Sequence, residues 1–233
     1  MSSLAEHLRR TGGRGHESDA PVLVVGLGRF GTAVAQTLVS LGREVLAVDC
    51  RADLVQRVAD TVTHAVQADA TDILAMQQLG VAEFGHAVVA IGDGIEASVL
   101  ATSVVVDLEI PHIWAKAISQ EHGRILERIG AHHVTYPETE AGERVAHLVS
   151  DHLLDYIQFD DNFAFVKMLV PPTQAGKSLA EAHLRSNYGV TVVGIKTPDR
   201  EFTYATSDTV LVPGSTLAVA GPLAALNRFA RSN

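Results

Sequence analysis

Three glycines, an arginine and an aspartate carry the densest chemistry in this sequence. Gly26-Leu27-Gly28-Arg29-Phe30-Gly31 has the G-x-G-x-x-G spacing of a turn that cradles phosphate groups. In such a turn Gly26 makes the tight bend, Gly28 leaves room for a pyrophosphate to approach the backbone, and Gly31 lets a helix pack closely on the preceding strand. The helix that starts there offers free N–H groups and partial positive charge to an anion. Asp49 closes the next strand, at about the twenty-residue spacing where an acidic side chain accepts hydrogen bonds from ribose hydroxyls. Its charge repels a 2′-phosphate and so disfavours NADP. Arg29 is the least expected residue of the motif. A cation at a helix start opposes the helix dipole unless a phosphate lies between them, and a guanidinium can bind phosphate through two parallel hydrogen bonds.

These residues need a strand, a turn and a helix to hold them, and the flanking sequence has that pattern. Short aliphatic runs predict strands at 22–26, 44–48, 64–68, 86–91, 111–116 and 132–135. Amphipathic stretches at 30–41, 51–60, 72–79, 94–107 and 120–129 alternate with them. Strand–helix alternation of this kind reads as α/β: a Rossmann-like doubly wound parallel sheet with right-handed crossovers. Pro137 at a first helical turn predicts a helix running to about Tyr156. Beyond Asp160-Asp161-Asn162 the character changes. Strands at Phe163–Val170, Val190–Lys196, Phe202–Ala205 and Leu217–Ala220, with helices near Ser178–Leu184 and Pro222–Ala230, read as a small C-terminal α+β domain. The expected division is a mobile N-terminal arm over 1–20, a nucleotide-binding domain over 21–136, a connecting helix over 137–159 and the small domain over 160–233.

Composition narrows the function classes. A hydrophobic content of 47% supports a substantial core. A net charge of −9 argues against a nucleic-acid partner, because no basic patch is available to neutralise phosphates along a strand. The longest apolar run, near Ala97 to Val106, is interrupted by Ser98, Thr102 and Ser103 and is too short for a membrane helix. The one cysteine, Cys50, fits a reducing compartment, and the expectation is a cytoplasmic protein.

Other reactive residues form no recognisable constellation. His132 and His133 are adjacent, so on a strand they point to opposite faces and cannot chelate one metal together. The remaining histidines have no zinc spacing with cysteine or carboxylate. Cys50 reads as a packed strand-end residue rather than a nucleophile. Asp69 and Thr71 follow the third strand at the edge where ligands of open α/β sheets sit, but Thr71 or Asp72 would equally cap the next helix. Ile91 and Gly92 end the fourth strand, Gly92 being small enough for close approach. Lys116 could steady phosphates or a neighbouring carboxylate, or be solvated. Glu138 stands at a helix start, where the dipole stabilises it with or without a ligand.

The glycine motif, Leu46-Ala47-Val48-Asp49, Ala68-Asp69-Ala70-Thr71-Asp72, Val89-Ala90-Ile91-Gly92, Ile110-Pro111-His112-Ile113-Trp114-Ala115-Lys116-Ala117, Leu126-Glu127-Arg128-Ile129-Gly130-Ala131 and Tyr136-Pro137-Glu138 occur here in sequence order. With Leu184-Arg185-Ser186-Asn187-Tyr188-Gly189 and Val193-Gly194-Ile195-Lys196, they resemble the cytosolic regulatory, RCK-domain subunits of Ktr/Trk-type potassium uptake systems, closest to the Ktr type. The resemblance implies an ATP/ADP sensor, activated by ATP and held inactive by ADP. Its nucleotide site would comprise Gly26, Leu27, Gly28, Arg29, Phe30, Gly31, Asp49, Cys50, Arg51, Asp69, Ala70, Thr71, Ile91, Gly92, Lys116 and Glu138. Arg29 is implied to meet the terminal phosphate, also across a dimer, and Glu138 to coordinate a divalent cation, Mg²⁺ or Ca²⁺, beside the phosphates at the dimer interface. It further implies homo-oligomers, with dimers assembled into an octameric ring at the inner face of the cell membrane, beneath a membrane-embedded potassium transporter. Cyclic di-AMP is a family precedent at the C-terminal domain, where Arg185 and the aliphatic residues of Val190–Ile195 would suit it; dimer core is the plainer reading. Two alternatives stand beside this one: an NAD(H)-binding Trk-type regulatory subunit, and an NAD-dependent oxidoreductase, for which no acid or base against a nicotinamide is visible.

Overall fold

Val22–Val25 (β1) is a run of four aliphatic residues, all buried. A strand points successive side chains to opposite faces, so an all-aliphatic strand needs cover on both. The computed structural model, which describes residues 20–150, 153–160 and 162–232, provides that cover. The arm expected over 1–20 lies, up to residue 19, outside the described residues. β1 is central to a parallel sheet of order β3-β2-β1-β4-β5-β6. The other strands are β2 (Val45–Asp49), β3 (His64–Gln67), β4 (His86–Val89), β5 (His112–Lys116) and β6 (His133–Thr135). Helices α1 (Arg29–Ser40) and α2 (Ala52–Val58) cover one face, where Ala35, Leu54 and Val58 pack with Val22 and Val24. Helices α3 (Ile73–Gln78), α4 (Ile95–Asp107) and α5 (Gln120–Ile129) cover the other, where Met76, Ala101, Val105 and Leu126 pack with Leu23 and Val25. Each fully buried Leu or Val contributes about 1.5–3 kcal/mol relative to exposure. The strand order reverses between β1 and β4, which opens a crevice at their carboxyl ends.

The chain divides between Glu138 and Thr139 into two compact units. The second is built on an antiparallel sheet of order β10-β9-β11-β8-β7. Its strands are β7 (Leu153–Asp160), β8 (Phe163–Leu169), β9 (Thr191–Lys196), β10 (Thr203–Tyr204) and β11 (Thr216–Pro222). Short helices α7 (Leu179–Ala182) and α8 (Leu184–Tyr188), with α9 (Leu223–Ala230), pack Ala182, Leu184, Leu226 and Phe229 against it. One expectation is corrected here. The helix starting at Pro137, α6, ends at Ser150, and Leu153–Asp160 is a strand rather than the end of a connecting helix. Leu153 and Tyr156 face the core opposite Met168 and Val166 of β8. Register shifts between Leu153 and Asp155, and between Gln158 and Asp160, break the period-two pattern that marks a strand in sequence. Among the described residues no helix is long and apolar enough to cross a membrane.

Two helical glycines lead to opposite expectations. A Cβ on Gly31 would lie 1.8 Å from the Gly26 carbonyl oxygen, whereas one on Gly142 of α6 meets nothing within 4 Å. Gly31→Ala is therefore expected to cost about 1–3 kcal/mol by forcing α1 off β1. Gly142→Ala should gain about 0.5–1 kcal/mol through helix propensity, and urea denaturation measures both.

His122 of α5 is 1% exposed. Its Nδ1 accepts the Ile118 N–H at 3.4 Å, and its Nε2 has no partner among the described residues. Burial pulls its pKa below the ordinary 6.5, so the unfolded chain takes up this proton first as pH falls. The stabilisation from keeping His122 neutral is complete above about pH 6.5 and declines below it. The thermal midpoint should thus fall more steeply between about pH 7 and pH 5.5 in the natural protein than in His122→Leu. Parallel slopes would exclude His122 as the source.

Candidate functional site

The crevice between β1 and β4 is shaped by absent side chains. Gly26 has φ +90°, and a Cβ there would come within 3.0 Å of the Ala90 carbonyl carbon and the Ile91 nitrogen. Gly28 is the residue before α1, and a Cβ on it would meet nothing within 4 Å, so the backbone faces open space. No side chain caps α1, and its first turn holds no acidic residue. The opening N–H groups of a twelve-residue helix are therefore presented with their partial positive charge undiminished. Arg29 is exposed in that first turn and Phe30 is half-buried beside it. The Thr32 hydroxyl donates to the Leu27 carbonyl at 3.0 Å and braces the loop from below.

Asp49 is tied into this loop. Its Oδ2 accepts the Leu27 N–H at 2.6 Å and its Oδ1 accepts the Arg51 N–H at 2.9 Å. A carboxylate has about four acceptor positions, so lone pairs remain for a ribose. Leu27 itself is buried, and only its backbone takes part. Cys50, expected to pack at the strand end, is instead exposed and free, because it lies just past β2; its carbonyl accepts from Gln67 Nε2 at 3.0 Å. The Arg51 guanidinium is committed to Asp53, at 2.9 Å.

At the end of β3 the two roles left open for Thr71 separate. Asp72 caps α3, accepting from the Leu74 N–H at 2.9 Å and the Ala75 N–H at 3.4 Å. Thr71 instead donates its hydroxyl, at 2.7 Å, and its N–H, at 2.9 Å, to Asp69. Those bonds, the hydroxyl's first, hold the Asp69 carboxyl below its usual range. The Ala70 side chain is in the core, so only its backbone can face a ligand. Ile91 packs partly against the same core.

Lys116 and Glu138 complete the arrangement. Lys116 Nζ donates to Glu138 Oε1 at 2.6 Å and lies 5.9 Å from the Phe30 ring centroid. The lysine is buried and the glutamate exposed. The lysine hydrogen bond, more than the distant Arg29 charge, holds the Glu138 carboxyl below its ordinary value. The structure thus brings the glycine loop, Asp49, Gly92, Lys116 and Glu138 into one region, while Arg51 is turned to Asp53. Sequence reasoning missed Thr32 and Gln67, whose only signal was a polar residue directly after the third glycine and another at a strand end. Among the described residues no group of three or more histidine, cysteine, aspartate or glutamate side chains could hold a metal ion.

The second unit holds a separate open cleft of about 540 Å³. Leu184, Arg185, Val190, Val192, Ala205 and Thr206 are among the residues that line it.

Residues 22–137 match the TrkA-N domain and residues 166–232 the TrkA-C domain. The chain is 40% identical over 174 residues to Ktr system potassium uptake protein A of Bacillus subtilis, covering 74% of this chain and 78% of that one. It is 34% identical over 207 residues to Ktr system potassium uptake protein C of the same organism, covering 88% and 94%. The chain belongs to the Ktr potassium uptake protein family. These relatives are potassium uptake proteins by name, which weighs against the oxidoreductase reading. The RCK domain of GsuK superposes on this chain with a TM-score of 0.63 at 20% identity, covering 94% of this chain and 49% of that one. The GsuK channel bound to NAD gives 0.64 at 20% identity, covering 94% and 40%. The chain therefore spans about half or less of those chains, and the likeness at that identity is one of fold.

For Glu138 a lowered pKa means that the ion pair stabilises the folded protein above the ordinary glutamate value of 4.5 and loses effect as pH falls below it. A carbon-detected NMR titration should place the Glu138 midpoint below that value, and Lys116→Met should move it upward. An unmoved midpoint would mean that Lys116 is not the cause.

Proposed function

We propose that this protein is the cytosolic, nucleotide-sensing regulatory subunit of a potassium uptake system, gating a membrane-embedded transporter to which it docks at the inner face of the membrane. The observation that carries the reading is the exposed Arg29 in the first turn of an uncapped helix, directly after a glycine open to approach. Phosphates seated on the α1 N–H groups would lie between the helix dipole and the guanidinium, removing the conflict that a cation otherwise suffers there. Asp49, held by the loop's own N–H, would accept from the ribose, and Asp69 and the Ala70 backbone would stand near the base. Arg29 would bind the terminal phosphate of ATP, a contact that ADP cannot make. A ligand shifts a conformational equilibrium only by its differential affinity for the two states, and this contact supplies that difference between an ATP-activated and an ADP-inactive arrangement. Dimers, assembled into an octameric ring, would transmit it to the transporter.

Magnesium or calcium beside the phosphates belongs to this reading, but one carboxylate already paired with an ammonium does not make a cation site by itself. The second unit's cleft, with Arg185 beside Val190 and Val192, supports cyclic di-AMP as a second regulator there. The NAD(H) alternative draws on the GsuK channel bound to NAD, and Asp49 would serve either ribose.

Calorimetric titration with ATP, ADP, NADH and cyclic di-AMP separates these readings. Arg29→Ala is expected to weaken ATP by about tenfold to a hundredfold, the scale of one charge-assisted hydrogen bond, and to weaken ADP far less. Equal losses for the two nucleotides would remove the terminal phosphate from Arg29. NADH binding tighter than ATP would favour the alternative.

A further inference from the structure

Arg51 belongs to the expected nucleotide site by position but not by contact. Its backbone N–H donates to Asp49 Oδ1 at 2.9 Å, so the residue stands beside the carboxylate that would meet a ribose. Its side chain goes to Asp53 through a two-point fork: Nε donates to Oδ1 at 3.3 Å and Nη2 to Oδ2 at 2.9 Å. Arg57, one turn further along α2, closes on the same Asp53 oxygen at 3.6 Å. The hydrogen bond and charge of Asp53, then the charges of Asp49 and Asp93, push the already high Arg51 pKa further up. In nucleotide sites of this fold an acid here accepts from a free 2′-hydroxyl, whereas an arginine nearby accommodates a 2′-phosphate. This chain carries both residues, and Asp53 decides between them. The Nε–Nη2 edge, the one that grips paired phosphate oxygens best, is already taken. An exposed ion pair is weak by itself, and these side chains are 56% and 63% accessible. Charge adds the stronger bar. Were Arg51 to turn to a phosphate, Asp53 would remain as a second carboxylate near Asp49, facing a dianion.

We propose that Asp53 sets the nucleotide class: by occupying Arg51 it withholds the cation that a 2′-phosphate needs. The crevice thus takes adenine nucleotides with a free 2′-hydroxyl and turns away those phosphorylated there. Asp49 supplies the acceptor for the hydroxyl, and Asp53 acts through Arg51 as a positioning residue. The inference deepens the nucleotide reading and rests on it for the ligand's place at Asp49.

Competition calorimetry on the full chain, with ADP and its 2′-phosphorylated counterpart, tests this. The natural protein is expected to bind the 2′-phosphorylated form at least about tenfold more weakly than ADP. Asp53→Asn keeps the shape of the side chain and removes its charge. It should bring the two affinities about tenfold closer, the scale of one charge-assisted hydrogen bond, by strengthening the 2′-phosphorylated form and leaving ADP little changed. Asp53→Ala should do the same, and adding Arg51→Ala to Asp53→Asn should cancel the gain. An affinity ratio that neither Asp53 variant moves overturns the proposal. So does a gain that persists without Arg51, which would be general relief of negative charge. If the natural protein binds ADP but takes both forms equally, Asp53 is no filter and the nucleotide reading stands. If it binds neither, that reading falls and the proposal with it.

Discussion

The contact on which this architecture turns is between Gly31 and the carbonyl of Gly26. The missing Cβ would sit 1.8 Å from that oxygen, so α1 can lie against the end of β1 only because residue 31 has no side chain. Gly26 meets a similar limit on its other side, 3.0 Å from the backbone of Ala90 and Ile91. The two glycines bring the start of α1, the end of β1 and the end of β4 together at the point where the sheet's strand order reverses. The orientation of the helix dipole, the open face of Gly28 and the placing of Arg29 all follow from this closeness.

Around that fixed point the structure distributes charge with economy. The chain carries a net −9, yet the carboxylates near the crevice are held by specific donors. Asp49 accepts from two backbone N–H groups, Asp69 from Thr71, and Glu138 from Lys116. Arg51 and Asp53 satisfy each other. Arg29, by contrast, stands exposed at the uncapped end of α1. An anion-binding surface on an acidic protein needs this arrangement, in which acids are paired locally and a cation is left presented where the helix already favours negative charge.

The second unit uses a different principle. Its antiparallel sheet buries one face under α7, α8 and α9 through Leu184, Leu226 and Phe229. The capping box between Ser178 and Glu181 starts α7, and His183, at φ +48°, breaks it from α8. That break turns Arg185 and its neighbours toward the cleft lined by Val190 and Val192. His183 itself lines the cleft, outside the sheet.

Local pattern was enough to read the six parallel strands, the five helices between them and the glycine turn. Buried parallel strands are uniformly aliphatic and amphipathic helices repeat every 3.6 residues, so both leave a mark in a short window. The family was legible too, because its motifs lie within such windows in a fixed order. Strand β7 was not legible. Its two register shifts erase alternation, and its stability comes from Val166 and Met168 of β8, beyond the turn. The pairing of Lys116 with Glu138 and the binding of Asp49 to the Leu27 N–H were also out of reach. Sequence determined which residues could carry charge or permit close approach, since those are properties of single side chains. Only the tertiary structure decided which charges meet, because a contact across twenty residues depends on the packing of elements that no local window contains.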